Sequence, residues 1–245
     1  MNQNLRIHIC PVGFEVKRVV DPLVSMRADK VYLITYKKGD EAQSYLEKIE
    51  SELKNYPNIE LVKKYVNIWD LFQCLELMRE IISTEYGNNI FVNVSTGTKI
   101  TAIAGMLSCM LWGPSPYYAR VSYPPSNKTM PNVTEFVETP PDTLPVYGIN
   151  KPKPEYLLIL KLLKDNGSKL RKSRLIELLE DGGIIKKRSE IDRGFSASAK
   201  HSQLRVLLDP MIRDWNYIKI MYEGRRPTVN LTEQGVNALR IFGTG

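Results

Sequence analysis

The sequence is poor in the side chains on which most hydrolytic and redox enzymes rely. It has two histidines, His8 and His201, and three cysteines, Cys10, Cys74 and Cys109. Two imidazoles so far apart argue against a classical zinc site or a His-based triad. The cysteines stand in apolar settings with no CxxC pair, and read as buried thiols acting as small hydrophobes. No apolar run nears the ~20 residues that a bilayer-crossing helix needs. The start, Met1-Asn2-Gln3-Asn4-Leu5-Arg6, runs straight into a strand pattern, so the expectation is no signal peptide, no membrane association and a cytoplasmic location. The chain also lacks G-x-x-x-x-G-K-[ST], which excludes a P-loop ATPase. No G-x-G-x-x-G follows the first strand, and the second ends in Tyr36-Lys37-Lys38 rather than in an acid for ribose hydroxyls, which disfavours NAD. No cofactor, metal or catalytic residue is expected.

What is present is an ordinary globular composition with an uneven charge. The 245 residues are 43% hydrophobic and 25% charged, enough for one large core or two ordinary ones. The net charge is +7. Residues 1–150 hold 15 Lys and Arg against 16 Asp and Glu, whereas residues 151–245 hold 19 against 11. The positive excess therefore lies wholly in the last 95 residues, the distribution of a nucleic-acid-binding segment attached to a near-neutral partner domain.

The first half alternates short apolar runs with amphipathic stretches. Strands are expected at Leu5–Pro11, Val31–Tyr36, Ile59–Val66, Ile90–Val94 and Tyr117–Val121. Helices are expected at Val16–Met26, Glu41–Asn55, Ile68–Tyr86 and Lys99–Leu111. Continuous apolar strands alternating with helices predict a parallel sheet covered on both faces, a Rossmann-like, doubly wound α/β domain of strand order 3-2-1-4-5. Residues 123–150 are rich in proline, with Asn132–Glu138 and Val146–Ile149 as possible edge strands and the rest as connector. The domain boundary is placed near Asn150, giving domains 1–150 and 151–245.

The second half reads as helix, helix, helix, hairpin, helix. The helices fall at Pro154–Lys164, Lys169–Leu179 and about Ser196–Asp214, with Pro210 a point of distortion. Tyr217–Tyr222 and Thr228–Leu231 form the hairpin, and Thr232 caps a last helix running to Leu239. This is the winged helix–turn–helix arrangement, whose third helix enters the major groove while the wing contacts phosphates or the minor groove. The expected DNA face comprises Ser196, Ser198, Lys200, His201, Gln203 and Arg205 on that helix, Arg225 and Arg226 at the wing tip, and Lys186, Lys187 and Arg188 as backbone contacts. Thr232-Glu233-Gln234-Gly235 matches the L-T-x-x-G close of many prokaryotic winged-helix regulators.

In a sheet of order 3-2-1-4-5 the crevice opens between strands one and four, so the loops leaving those strands are the ones to inspect. One is Pro11-Val12-Gly13-Phe14-Glu15. The other is Ser95-Thr96-Gly97-Thr98-Lys99, running from a buried strand into a helix. Gly97 allows a close turn, the helix start offers free N–H groups, three hydroxyls stand nearby, and Lys99 adds a positive charge. A phosphate or ribose-phosphate suits such a turn, although an ordinary helix cap would look the same in sequence.

Three stretches carry a family resemblance. They are Ile9-Cys10-Pro11-Val12-Gly13-Phe14-Glu15 with Arg18-Val19-Val20; Ala28-Asp29-Lys30-Val31-Tyr32-Leu33; and Asn93-Val94-Ser95-Thr96-Gly97-Thr98-Lys99. They resemble the CARF domain (CRISPR-associated Rossmann fold), and the whole layout resembles archaeal CARF–winged-helix transcription regulators. The resemblance implies a homodimer that binds a cyclic oligoadenylate across its cleft, through loops matching Pro11, Val12, Gly13, Phe14 and Arg18 and matching Ser95, Thr96, Gly97, Thr98 and Lys99. Some CARF domains cleave that ring with a lysine in this turn and a hydroxyl in the first loop. Here Lys99 is present, but Pro-Val-Gly-Phe has no hydroxyl, so binding without efficient cleavage is expected. The expectation is a dimeric regulator of double-stranded DNA under control of such a ligand. A ring nuclease and a nucleotide-sensing adaptor with a protein-binding winged helix are the alternatives.

Overall fold

Residues 4–37, 39, 41–122, 136–185, 197–223 and 226–243 are described by a computed structural model. The first half builds its sheet from strands with almost no exposed side: β1 (Arg6–Pro11) is buried at all but its first residue, and β2 (Lys30–Thr35) likewise. Such strands need cover on both faces. That cover comes from α1 (Lys17–Ser25), α2 (Gln43–Leu53), α3 (Leu71–Thr84) and α4 (Lys99–Trp112), interleaved with β3 (Glu60–Tyr65), β4 (Asn89–Asn93) and β5 (Ser115–Tyr118). The sheet order is β3-β2-β1-β4-β5-β8, with β8 at Asp142–Thr143. Every pairing is parallel except β5 with β8. Strand β1 is thus central, and the winding reverses on either side of it. This is the Rossmann-like α/β arrangement that the alternating pattern predicts.

Helix α4 is set close against the sheet by a missing side chain. A methyl group on Gly105 would sit 3.0 Å from Val94 Cγ1 and 3.1 Å from Val92 Cγ1. The helix is then stopped by Gly113, whose φ of 97° is the left-handed C-terminal cap that glycine adopts without cost. Ile7, Ile9, Leu33, Met78 and Val92 are fully enclosed on this sheet and its helices, each stabilising by about 1.5–3 kcal/mol.

The proline-rich stretch differs from its expectation. The fifth strand begins at Ser115 and ends at Tyr118, and Val121–Ser122 forms a separate strand, β6, antiparallel to β7 (Phe136–Val137). Residues 132–135 lie outside the described residues. Val146–Ile149 is not a strand; instead the Ile149 N–H reaches the Met110 carbonyl at 3.3 Å, next to Pro145, which has no N–H to offer a sheet.

The chain divides into two units, Met1–Ile149 and Asn150–Gly245. The second holds α5 (Pro154–Asp165), β9 (Lys169–Arg171), α6 (Lys172–Asp181), α7 (Ala197–Arg213), β10 (Ile218–Glu223), β11 (Arg226–Leu231) and α8 (Glu233–Phe242). Its core joins Ile159, Leu163, Leu175, Leu179, Leu208, Met211, Ile218 and Val229. One expectation is corrected: Lys169–Arg171 is a strand, and the second helix starts only at Lys172. Leu170 pairs with Val229, so the segment completes a three-stranded sheet of order β10-β11-β9. Three helices with such a sheet form a winged helix.

Candidate ligand site and nucleic-acid interface

The loops after β1 and β4 leave the same edge of the sheet and touch backbone to backbone. A methyl on Gly13 would lie 2.7 Å from the Gly97 nitrogen, and one on Gly97 would lie 2.7 Å from Pro11 Cβ and 2.6 Å from Thr101 Oγ1. Gly97 also has φ +80°, so both space and backbone conformation exclude a side chain there. The Thr96 hydroxyl, buried, donates to the Pro11 carbonyl at 2.7 Å and locks the two loops together.

Asn93, at the end of β4 and fully buried, is a hub that the sequence reading did not single out. Its amide donates to the Arg18 carbonyl at 2.8 Å, and its Oδ1 accepts from the Ser95 N–H at 2.9 Å and the Ser95 hydroxyl at 2.5 Å. Ser95 Oγ in turn accepts from the Ala119 N–H at 3.1 Å. Thr98 caps α4, accepting from the Thr101 N–H at 3.1 Å and donating to the Ile68 carbonyl at 3.0 Å. The three hydroxyls expected to face a ligand are therefore spent on shaping the turn. Arg18 is engaged as well: Nε donates to the Ala119 carbonyl at 2.9 Å, Nη1 meets Glu15 at 3.2 Å, and the guanidinium lies 5.1 Å from the Tyr118 ring centroid.

What stays open is the start of α4. The first N–H groups of a helix have no intrahelical partners, and the Thr98 cap answers only that of Thr101. Lys99 is exposed at the first position of the helix, and Phe14 is 59% exposed beside Gly13. Pro11 and Val12 are buried and act as the floor. Oriented N–H groups with an adjacent cation make a place for an anion.

Three titratable groups buried beneath this edge are withdrawn from chemistry. His8 is fully enclosed; its Nδ1 lies 3.3 Å from the Tyr117 hydroxyl, and burial pushes its pKa down to about 3. Burial also raises the Cys10 thiol to about 12 and the Tyr117 phenol well above its usual value. Among the described residues no cluster of three or more His, Cys, Asp or Glu could hold a metal ion, and no helix is long and apolar enough to cross a membrane.

On the winged helix, Lys186, Lys187, Arg188, Ser196 and Arg225 lie outside the described residues. Ser198 falls in the first turn of α7. His201 and Arg205 are exposed, four residues apart on one face of that helix, with Arg205 reaching Asp209 at 3.3 Å. Lys200 is instead ion-paired with Glu180 of α6, and Gln203 is half-buried. Arg226 is exposed at the start of β11. A cleft of about 290 Å³ brings Lys172 beside His201 and Arg205. The sequence reading singled out neither Lys172, which opens α6, nor the exposed Arg171, which closes the strand read as helix.

Two family models match the chain. One, described as HFX_2341_N:-like, N-terminal, covers residues 6–123, and the other, described as the DUF6293 C-terminal winged helix domain, covers residues 155–243. The chain is thus similar to HFX_2341-like N-terminal domains over the first span and to DUF6293 winged helix domains over the second. The uncharacterized protein MJ1513 of Methanocaldococcus jannaschii is 29% identical over 116 residues, covering 43% of this chain and 33% of that protein. The chain thus spans about a third of the length of that curated relative. Among solved structures, Can2 from Sulfobacillus thermosulfidooxidans in complex with cyclic tetra-adenylate is 14% identical, at a TM-score of 0.43 over 97% of this chain and 64% of that one. Enterococcus italicus Csm6 bound to cyclic hexa-2'-fluoro-hexa-dAMP is 13% identical, at a TM-score of 0.40 over 86% and 56%. At these scores the likeness leaves this chain's own ligand unassigned.

Proposed function

We propose that this chain is a homodimeric, DNA-binding transcription regulator whose effector is a phosphate-bearing ligand, a cyclic oligoadenylate, bound where the loops after β1 and β4 meet. The observation that carries the reading is the first turn of α4. That turn starts with the exposed Lys99 at the reversal point of the sheet, where a glycine-on-glycine contact holds the loops after β1 and β4 together. A ring of even symmetry suits a two-fold cleft, because an isologous dimer presents the turn twice. The winged helix and the positive excess of residues 151–245 support DNA as the second partner. Ligand would act by biasing the placement of two half-site readers.

Calorimetry with cyclic tetra- and hexa-adenylate tests the effector, and failure of every such ring to bind removes that half of the proposal. Lys99→Ala should weaken a ring that binds by roughly 10- to 100-fold, the worth of a charge-assisted hydrogen bond. For DNA, replacing Arg225 and Arg226 with Ala should lower affinity and reduce the salt slope by about one unit per lost phosphate contact. An unchanged slope takes the wing out of the interface. A sensor rather than a ring nuclease is favoured because His8 and Cys10 are sealed in the core and Pro11–Phe14 carries no hydroxyl. Conversion of the ring to linear products by pure protein would reverse that preference.

A further inference from the structure

The cleft in the winged helix unit runs along one face of α7, and its two ends differ in chemistry. His201, Leu204, Arg205, Leu208 and Ile212 line it at steps of three and four, the spacing of a single helical stripe. At the start of that stripe Lys172 of α6 joins His201 and Arg205. Leu204 and Leu208 are buried and make the floor. Ile212 and Ile220 of β10 pack against the core, yet stay half-buried and still line the cleft. The stripe from His201 to Ile212 is about 16 Å long at the helical rise of 1.5 Å per residue.

The cations are unevenly used. Arg205 meets Asp209, the one acid lining the cleft, at 3.3 Å. Lys172 and His201 have no ion pair or hydrogen bond among the described residues. Lys172 is also the first residue of α6, a helix with no side-chain cap and no acid in its first turn. Its N-terminal N–H groups and macrodipole therefore add to the positive field where Lys172 stands. A DNA phosphate would satisfy these cations and leave the apolar recess wet. A neutral hydrocarbon would fill the recess and leave the cations unused. An apolar recess of about 300 Å³ with a few polar groups that fix orientation is the form that small-molecule sites take.

We propose that this cleft binds an amphipathic carboxylate. Its head sits between Lys172 and His201, and an acyl chain of about ten carbons lies along Leu204, Leu208, Ile212 and Ile220. The site is independent of the effector reading of the first unit. It touches the DNA reading at one point: His201 and Arg205 belong to the expected DNA face, so an occupied cleft competes with DNA. The test titrates decanoate, hexanoate, acetate and decylammonium into the full chain and into Lys172→Gln and Ile212→Ser by calorimetry. Far-ultraviolet circular dichroism confirms that each variant is folded. Decanoate should bind one to one. Hexanoate should be at least tenfold weaker, because each buried methylene is worth about fourfold in affinity. Acetate and decylammonium should give no measurable binding. Lys172→Gln should weaken decanoate about tenfold, the loss of one charge-assisted hydrogen bond, and Ile212→Ser by a similar factor through lost apolar contact. Decanoate should also release a mixed-sequence DNA duplex from the wild type, and less readily from Lys172→Gln. Absence of decanoate binding, equal binding of decylammonium, or an affinity unchanged in both variants overturns the site. If decanoate binds as expected and the chain takes up no DNA, the DNA reading falls and the carboxylate site stands. Decanoate that binds and leaves the duplex in place overturns the competition.

Discussion

Helices α4 and α8 both begin at a threonine that does the same two tasks. Thr98 accepts from the Thr101 N–H at 3.1 Å and donates to the Ile68 carbonyl, and Thr232 accepts from the Gly235 N–H at 3.1 Å and donates to the Asn216 carbonyl at 2.6 Å. The next residue separates them. Glu233 opens α8 with a negative charge, which favours the positive end of the helix dipole, whereas Lys99 opens α4 with a positive one, which opposes it. Both ends are packed closely by a glycine: a methyl on Gly235 would run into the Tyr217 carbonyl oxygen, as one on Gly97 would into Pro11 and Thr101. One cap finishes a fold. The other carries a positive charge at its positive end, which the proposed anion would offset.

The two units should first separate on acidification. His8 is held neutral by burial, with the nearby Arg6 adding to the depression, at about 3 against 6.5 for a free imidazole. Between those values the folded state binds fewer protons than the unfolded one, so stability falls as pH drops from about 6.5 towards 3, by up to about 1.4 kcal/mol per pH unit. The described residues of the second unit hold only His201, which is exposed. Acid titration followed by near-ultraviolet dichroism should therefore melt the first unit earlier, and His8→Phe should flatten that slope; an unaltered slope would acquit the histidine.

Glycine replacements come next in size. Gly235→Ala should cost the winged helix unit about 3 kcal/mol, because the obstacle is a backbone carbonyl. Gly97→Ala should cost the first unit about 2 kcal/mol, through strain at positive φ and contact with Pro11. Calorimetric melting orders the two, and equal small losses would mean that the loops yield. Thr98→Val and Thr232→Val should each cost about 1 kcal/mol, the usual worth of a cap, in denaturant titrations. The smallest effect is the most telling: Lys99→Glu should stabilise the ligand-free protein by roughly 0.5 kcal/mol while removing anion binding. Destabilisation by that change would end the contrast between the two helices.

Much of the fold was legible in the sequence because parallel strands buried on both faces must be continuous apolar runs, and β1, β2 and β4 are. The sheet order followed from the βα alternation. Strand β9 was hidden because a single apolar residue, Leu170, sits among Lys169, Arg171 and Lys172, and only pairing with Val229 makes it a strand. The ligand turn was legible as a place and not as a mechanism. Ser95, Thr96 and Thr98 look like phosphate donors until their partners, Asn93, the Pro11 carbonyl and the Ile68 carbonyl, are brought in by tertiary contacts up to 85 residues away.

The buried amide of Asn93 ties together the loops that follow β1, β4 and β5, through the Arg18 carbonyl, Ser95 and, by way of Ser95, the Ala119 N–H. On the clock of hydrogen exchange, three surface loops linked through one side chain should not keep separate time. The Ser95 and Ala119 amides are set to exchange together, in a single opening that also releases α1. A ligand on the α4 turn would slow all of them at once, so occupancy of the site could be read at Ala119, a residue that need not touch the ligand.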